Sequence, residues 1–144
     1  MKIIGVSIAA TMLLLTACST MSSAPAVAQR AKEEARLARY QAAAGAPVSS
    51  INNVGIGMQS WDTIDGSHIV YMLSPNRQYL MTLGGTCMDW ASGPVVGITS
   101  DMGRINVNFD SVRVSGGLSC SIQRIQPLDV GKLKSMSGTE ARAI

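Results

Sequence analysis

The chain has 144 residues, with 12 Lys and Arg against 9 Asp and Glu, and a formal net charge of +3. The positive excess lies in two flanks, residues 29–46 and 132–144, which each carry a net charge of +2, whereas residues 47–131 are net −2. A nucleic-acid site would need its basic groups in the folded part. This distribution therefore argues against nucleic acid as a partner.

The amino terminus has the layout of a secretory signal. Lys2 is followed by an apolar run over residues 3–15 and then by small residues. The run is shorter than the ~20 apolar residues that span a bilayer, so cleavage is expected rather than retention as a transmembrane helix. We expect residues 1–17 to be a lipoprotein signal peptide, because Leu15-Thr16-Ala17-Cys18 resembles the lipobox of bacterial lipoproteins.

In that reading Cys18 is the lipidation site and becomes the first residue of the mature chain. Two acyl chains on one cysteine give stable membrane attachment. We expect the protein in the cell envelope, facing the periplasm, with the membrane as partner through the lipid on Cys18. Ser19 favours the outer over the inner membrane. A competing cleavage after Ala26-Val27-Ala28 would release a secreted periplasmic protein.

The segment after the anchor predicts a tether and a helix. Residues 18–28 are small and polar with one proline, which is typical of a flexible tether. Residues 29–46 are rich in helix formers, and the segment ends near Gly45. We predict a short helix whose apolar face is formed by alanines, with weak packing: Ala31, Ala35, Ala38 and Ala42.

Residues 47–131 predict a β domain, because apolar and polar residues alternate between glycine-containing turns. Strands are expected at 55–61, 68–73, 78–83 and 118–128, with a hairpin of 94–100 and 104–109 around Asp101-Met102-Gly103. A shift of phase at Asp110-Ser111 predicts a β-bulge. The fold class is mainly β, a small antiparallel barrel or sandwich of about six strands, followed by a flexible basic tail over residues 132–144.

The cysteine count favours a disulfide. If Cys18 carries lipid, Cys87 and Cys120 remain as a pair in an oxidising compartment. Their bridge would stabilise a small domain by about 3 to 4 kcal/mol on the loop-entropy estimate. Free thiols or a metal site are the alternatives.

Candidates for catalysis and metal binding are sparse. His68 is the only histidine; it could join Asp62 or Asp65 in a triad, but the segment has no nucleophile elbow and reads as the start of a strand. Methionines could bind copper(I), although core filling is favoured because they form no short-spaced motif. We expect no catalytic residue, no metal and no cofactor. The methionines in question are Met58, Met72, Met81, Met88 and Met102.

Four aromatic residues are candidates for a ligand or partner surface. Aromatic side chains line carbohydrate and peptide grooves, but they are also main contributors to small cores. Cross-strand packing explains the two tyrosines equally well. The four residues are Trp61, Tyr71, Tyr79 and Trp90.

Three motifs give the chain a resemblance to a family of small proteobacterial lipoproteins whose domain has no known function. They are Pro-Asn-x-x-Tyr-Leu at 75–80, Thr-Ser-x-x-Gly-Arg at 99–104, and Cys-x-Ile-x-x-Ile-x-Pro-Leu-Asp at 120–129. The resemblance implies the signal cysteine and the same two domain cysteines. It implies no activity, cofactor or catalytic residue. The segment after Cys87 departs from the family pattern.

Together these features predict a lipid-anchored envelope protein that acts by binding or structural contact with an envelope protein or polymer, without enzymatic activity. One alternative is a small-ligand-binding β barrel with the aromatics around its mouth. A second alternative is a secreted periplasmic protein or an unrecognised envelope hydrolase. The only support for a hydrolase is the presence of scattered aspartates.

Overall fold

A computed structural model of the chain describes residues 24–54, 59–85, 95–116 and 118–140. The predicted signal peptide, Cys18, Cys87 and Trp90 lie outside these ranges. The described elements are helix α1 Ala24–Ala43, strands β1 Ser50–Asn52, β2 Ser60–Asp65, β3 His68–Ser74, β4 Arg77–Leu83, β5 Val95–Ile98, β6 Arg104–Asn106, β7 Ser111–Val114 and β8 Ser119–Pro127, and helix α2 Val130–Glu140.

Six strands form one antiparallel sheet in the order β2-β3-β4-β8-β7-β5. The sheet curls into a half-barrel, and a second antiparallel sheet consists of β1 and β6. The prediction of a mainly β, antiparallel fold is confirmed. A β-bulge lies in β8 opposite Thr82 and Leu83, which pair with Arg124 and Ile122. It explains why the inward phase moves from Ile122 to Ile125.

The predicted hairpin of β5 and β6 is wrong. β5 pairs with β7, and β6 pairs with β1 through Ile51 and Ile105. The turn between β5 and β6 does form: Asp101 and Arg104 exchange main-chain hydrogen bonds of 2.9 and 2.8 Å. Its loop is two residues long, since Met102 and Gly103 both have positive φ, at 47° and 71°. The turn is therefore local, while the flanking strands belong to different sheets.

The predicted bulge at Asp110-Ser111 is also wrong. Residues 107–109 form a turn in which Asn108 has a φ of 66°, and the chain passes there from one sheet to the other. Phe109 in this turn is 89% exposed. The shift in apolar phase thus marks a change of sheet.

Two cores lie on opposite faces of the half-barrel. The inner core fills the concave face under the β1-β6 sheet, and it includes Ile69, Ile122 and Ile125 at 0% exposure. The outer core lies between β2-β3-β4 and the two helices, and it includes Val70 and Leu80. β3 and β4 send alternate side chains to the two cores, as expected for strands covered on both faces.

The two edges of the sheet approach each other through one side chain. β2 and β5 are the first and last strands of the order. Trp61 on β2 packs against the inner core, and its Nε1 donates a hydrogen bond of 3.1 Å to the carbonyl oxygen of Val95 on β5. An indole therefore joins the edges of the half-barrel.

Both helices differ from their predictions. α1 begins at Ala24, so the predicted tether of residues 18–28 is wrong for its last five residues. The predicted alanine face, Ala31, Ala35, Ala38 and Ala42, is exposed. The face that contacts the outer core consists instead of Leu37, Tyr40 and Ala43, at the spacing of adjacent helical turns, and Ala44 just after the helix also packs there. Residues 132–140, predicted as part of a flexible tail, belong to α2.

Candidate binding cleft between the helices

Arg36 fastens α1 to strand β2. The Arg36 guanidinium donates to the carbonyl oxygen of Thr63, at 3.1 Å, and to the carboxylate of Asp62. Both partners are on β2. Because the side chains of Arg36 and Asp62 are 33% and 48% exposed, their ion pair is partly solvated. Its main effect is to position α1 along the edge of the sheet.

α2 begins with a complete capping arrangement. The Asp129 carboxylate accepts a hydrogen bond of 2.9 Å from the main-chain N–H of Lys132, which is the N3 position of the helix. Leu128 before the cap and Leu133 at N4 are both in the outer core, as in a hydrophobic staple. This signal is visible in the sequence, and the prediction of a flexible tail missed it.

The start of α2 is fastened to the end of α1. Lys132 Nζ donates to the carbonyl oxygen of Ala42 at 2.6 Å, where it satisfies a carbonyl at the helix end. The main-chain N–H of Asp129 donates to the carbonyl oxygen of Ala43 at 2.9 Å. α1 and α2 form one layer, which we call the helical layer.

A cleft of about 480 Å³ opens between the two helices and the β3–β4 turn; we call it the helix cleft. Its lining, among the residues that the structure describes, combines an apolar part with two basic side chains and includes no carboxylate. The residues that matter for its chemistry are Arg39 and Tyr40 from α1, Pro75 and Gln78 from the β3–β4 hairpin, and Leu133 and Lys134 from α2.

The walls of the helix cleft are ordered by internal contacts. The guanidinium carbon of Arg39 is 5.4 Å from the centroid of the Tyr40 ring, within the range of a cation–π contact. Gln78 Nε2 donates to the Pro75 carbonyl oxygen at 3.2 Å. Tyr40 and Leu133 continue into the outer core. The described lining thus places basic side chains beside an apolar floor.

The predicted aromatic surface is not an exposed face. Tyr71 is 1% exposed and Tyr79 and Trp61 are packed against the inner core. Tyr71 and Tyr79 are cross-strand partners on β3 and β4. The core alternative therefore applies to these three residues, and Trp90 lies outside the described residues.

Tyr71 carries its hydroxyl to a polar edge of the inner core. The hydroxyl hydrogen bonds to the side-chain amides of Asn53 and Gln59, at 2.9 Å for Gln59. Burial raises the pKa of Tyr71 from its ordinary value of 10.0 to about 12, because the phenolate would lose its hydration. Tyr71 is therefore a neutral structural residue over the physiological pH range.

Cys120 is 1% exposed in the inner core and is disulfide-bonded. Its predicted partner, Cys87, lies outside the described residues, so that pairing stays a prediction. Cys120 shares the inward face of β8 with Ile122, as the alternation of the sequence indicated. A bridge at this point would be attached to the best-buried part of the domain.

His68 and Asp65 lie at the β2–β3 turn. His68 Nδ1 is 2.9 Å from both carboxylate oxygens of Asp65, which also accepts a hydrogen bond of 2.7 Å from the Ser67 N–H. The Ser67 hydroxyl donates to the Gly85 carbonyl oxygen at 3.0 Å. Asp62 bonds Arg36 on α1. These groups fasten a turn and a helix, so a triad of His68 with Asp62 or Asp65 is not assembled with Ser67.

The buried carboxylate of Asp110 was not predicted from the sequence. Asp110 is 6% exposed and accepts hydrogen bonds from the Thr99 hydroxyl at 2.9 Å and from the Asn106 N–H at 2.7 Å. The Thr99 hydroxyl oxygen in turn accepts from the Ser111 N–H at 2.8 Å. Asp110 therefore supports the turn at which the chain changes sheet. The one indication of this role in the sequence is that the alternation of apolar residues shifts at Asp110.

The described methionines are dispersed. Met81 is in the inner core, Met72 packs on the outer core, and Met102 is 97% exposed at a turn tip. Met58 and Met88 lie outside the described residues. Within the described ranges, no group of three His, Cys, Asp or Glu side chains could hold a metal ion. In the same ranges, no helix has the length and apolar character needed to cross a membrane.

Comparison with known proteins identifies a family and little else. The model of a family of unknown function, DUF6491, matches residues 1–143. No curated protein matches the chain. No solved structure matches it either.

Proposed function

Since the chain belongs to this family of unknown function, which supplies no activity, we propose from its own residues that it is a lipid-anchored protein of the bacterial cell envelope that acts by binding. The amino terminus supports the anchor, with its apolar run over residues 3–15 and the lipobox-like segment ending at Cys18. Attachment through Cys18 would place residues 19–144 on the periplasmic side. Ser19 favours the outer membrane.

The single observation that carries the binding role is the helix cleft. It is a concave surface with an apolar floor and a few polar groups, which is the usual composition of a binding site. The concave face of the half-barrel offers a weaker alternative, because the described residues of the inner core fill it. A barrel-mouth site built on Trp61, Tyr71 and Tyr79 is therefore not favoured.

The described polar groups that could serve catalysis have structural roles, which supports a non-enzymatic function. His68 and Asp65 hold the β2–β3 turn. Asp110 holds the segment between β6 and β7 through neutral donors. Asp62 positions α1. Each of these three carboxylates therefore has hydrogen-bond partners that fasten a turn or a helix.

Mass spectrometry of the protein purified from bacterial membranes tests the anchor. We expect a mature chain that begins at Cys18 and carries the mass of a diacylglyceryl group. A matched Cys18→Ser variant should retain the signal peptide or lack the lipid, and should leave the membrane fraction on alkaline washing if processed. An unmodified mature chain that begins at Gln29 would contradict the proposal and favour the secreted alternative.

A further inference from the structure

We propose that two copies of this chain associate through strand β1, whose outer edge pairs antiparallel with the same edge of the second copy. The surface is residues 48–54, Val-Ser-Ser-Ile-Asn-Asn-Val, which we call the β1 segment. The proposal rests on the proposed function in one respect, since lipid anchors would hold both copies on one membrane face in one orientation. Its own support comes from the hydrogen bonds, the sequence and the exposure of the β1 segment.

The first argument is the direction of the main-chain groups of β1. The hydrogen bonds to β6 and its neighbours are made by the Ser49 carbonyl oxygen, at 2.9 Å, and by the Asn53 N–H, at 2.6 Å. Successive residues of an antiparallel strand direct their N–H and C=O groups to alternate sides. Ser50 and Asn52 therefore direct theirs away from β6, toward the outer edge of the two-stranded sheet.

The corresponding groups of β6 already have partners. Asn106 donates its N–H to the Asp110 carboxylate at 2.7 Å and accepts from the Asp110 N–H at 3.0 Å, and Arg104 bonds the turn before it. No described residue bonds the outward groups of Ser50 or Asn52 in this way, and Asn52 is exposed. Such an edge is a template for a further strand.

The second argument is the symmetry of the β1 segment, which identifies the added strand. Ile51 is its centre, with a valine at each end and two small hydrogen-bonding residues on each side. Antiparallel pairing about Ile51 places Ser50 opposite Asn52 of the second copy, and Val48 opposite Val54 of the second copy. A two-fold axis repeats both pairs, so one edge satisfies the other. The segment is thus complementary to itself.

The third argument is the exposure of the two valines. Val48 and Val54 are 36% and 77% exposed, whereas Ile51 is 6% exposed in the inner core. Side chains alternate along an extended segment, so the valines share the outer face with Ser50 and Asn52. Pairing of two copies would bring each valine against a β-branched partner, an arrangement that stabilises sheets. The inner core would stay as it is.

The lipid anchors give this short contact its strength. β1 has three residues, so the paired edges bury much less surface than a standard protein interface. Anchoring converts a weak association into one between molecules at high effective concentration. The joined sheet, in the order β6-β1-β1-β6, keeps both inner cores on one of its sides, as expected for two copies attached to the same bilayer.

Energy transfer between donor-labelled and acceptor-labelled copies tests the proposal. The mature, full-length protein carries its dye at the carboxy terminus and is reconstituted in dioleoyl phosphatidylcholine vesicles. We expect transfer for the wild type and about tenfold weaker association for Ser50→Pro, which removes one outward N–H from each copy. The matched control, Ser50→Ala, keeps that N–H and should associate like the wild type.

An exchange of charges tests the register. Val48→Lys and Val54→Asp should each weaken self-association several-fold, because a charge replaces one member of both valine pairs. Mixing donor-labelled Val48→Lys with acceptor-labelled Val54→Asp places a lysine opposite an aspartate and leaves the other valine pair intact. Transfer in the mixture should therefore exceed that of either variant with itself.

Three results would overturn the proposal: no transfer above that of Ser50→Pro in the wild type, equal loss in Ser50→Ala, and no recovery in the mixture of charge variants. A co-purified polypeptide that binds the wild type, but not Ser50→Pro, in place of a second copy would assign the edge to a foreign strand. If Ser50→Pro fails to fold, the charge variants decide, since both valines are exposed. Flotation of the vesicles reports anchoring separately from association.

Discussion

The two faces of the half-barrel differ in how completely their cores are enclosed. The inner core is closed under the β1-β6 sheet, contains thirteen buried residues in the described part of the chain, and holds Cys120 and Tyr71. The outer core contains six buried residues, is extended by half-buried side chains such as Tyr40 and Met136, and opens into the helix cleft. We therefore expect the inner core to supply most of the free energy of unfolding and the outer face to supply the contact surface.

Alanine substitutions in the inner and outer cores should lower the free energy of unfolding by different amounts. Ile122→Ala should lower the free energy of unfolding by about 3 to 5 kcal/mol, because Ile122 is fully enclosed and a cavity would remain. Leu133→Ala, at 8% exposure beside the helix cleft, should cost about 2 kcal/mol, since α2 can move to fill the space. Urea denaturation measures both. Equal costs would mean that the outer core is as closed as the inner one.

Tyr71→Phe tests how much the hydrogen bonds at the polar edge of the inner core stabilise the fold. Loss of the hydroxyl leaves the amides of Asn53 and Gln59 without that partner, so we expect a loss of about 1 to 2 kcal/mol near neutral pH. The matched control is Tyr79→Phe, on the neighbouring strand and less buried.

The same tyrosine predicts a pH dependence with a defined sign. Its pKa is raised by burial from 10.0 to about 12, so its neutral form is favoured in the folded state. The stabilisation is complete below pH 10 and is lost as the pH rises through about 12, because the unfolded chain ionises first. Urea titrations at several alkaline pH values should show a shallower fall of stability for Tyr71→Phe than for the wild type. Identical slopes would contradict the burial of the phenol.

Arg36→Gln should lower the free energy of unfolding least among these variants, and its effect should be confined to α1 on the outer face. The ion pair with Asp62 is partly exposed, so we expect a loss below about 1 kcal/mol that shrinks as salt is added. Amide exchange should increase in α1 and remain unchanged in β8. A large loss that is independent of salt would show that Arg36 supports the sheet itself.

Local patterns predicted β3, β4 and β8 well, because alternation depends only on which side chains face the core. The strand predicted at 55–61 is instead β2, Ser60–Asp65, and β1 was not predicted. β3, β4 and β8 lie where the alternation of Ile69, Tyr71 and Leu73, or of Cys120 and Ile122, places them. Strand pairing was harder to predict. The turn at Met102-Gly103 was recognised, but its flanking strands pair elsewhere, and no local pattern encodes a partner more than fifty residues away, such as β1 for β6.

The packing of the helices and the candidate site also depends on contacts between distant parts of the chain. The alanine spacing of α1 suggested the wrong face, since the true contact depends on the strands underneath Leu37 and Tyr40. The helix cleft could not be predicted, because Arg39, Gln78 and Lys134 come from three separate parts of the chain. For α2, in contrast, the Asp129 cap and its flanking leucines were readable.

The bond between Trp61 and Val95 has a consequence for how the domain opens. A closed barrel has no first strand to detach, whereas this sheet, as far as it is described, begins at β2 and ends at β5, and an indole joins these two strands. The first and last strands of a sheet are where local unfolding starts and where a foreign strand can add. The rate at which β2 and β5 separate should therefore set how often the inner core meets solvent, and the indole of Trp61 would regulate that rate.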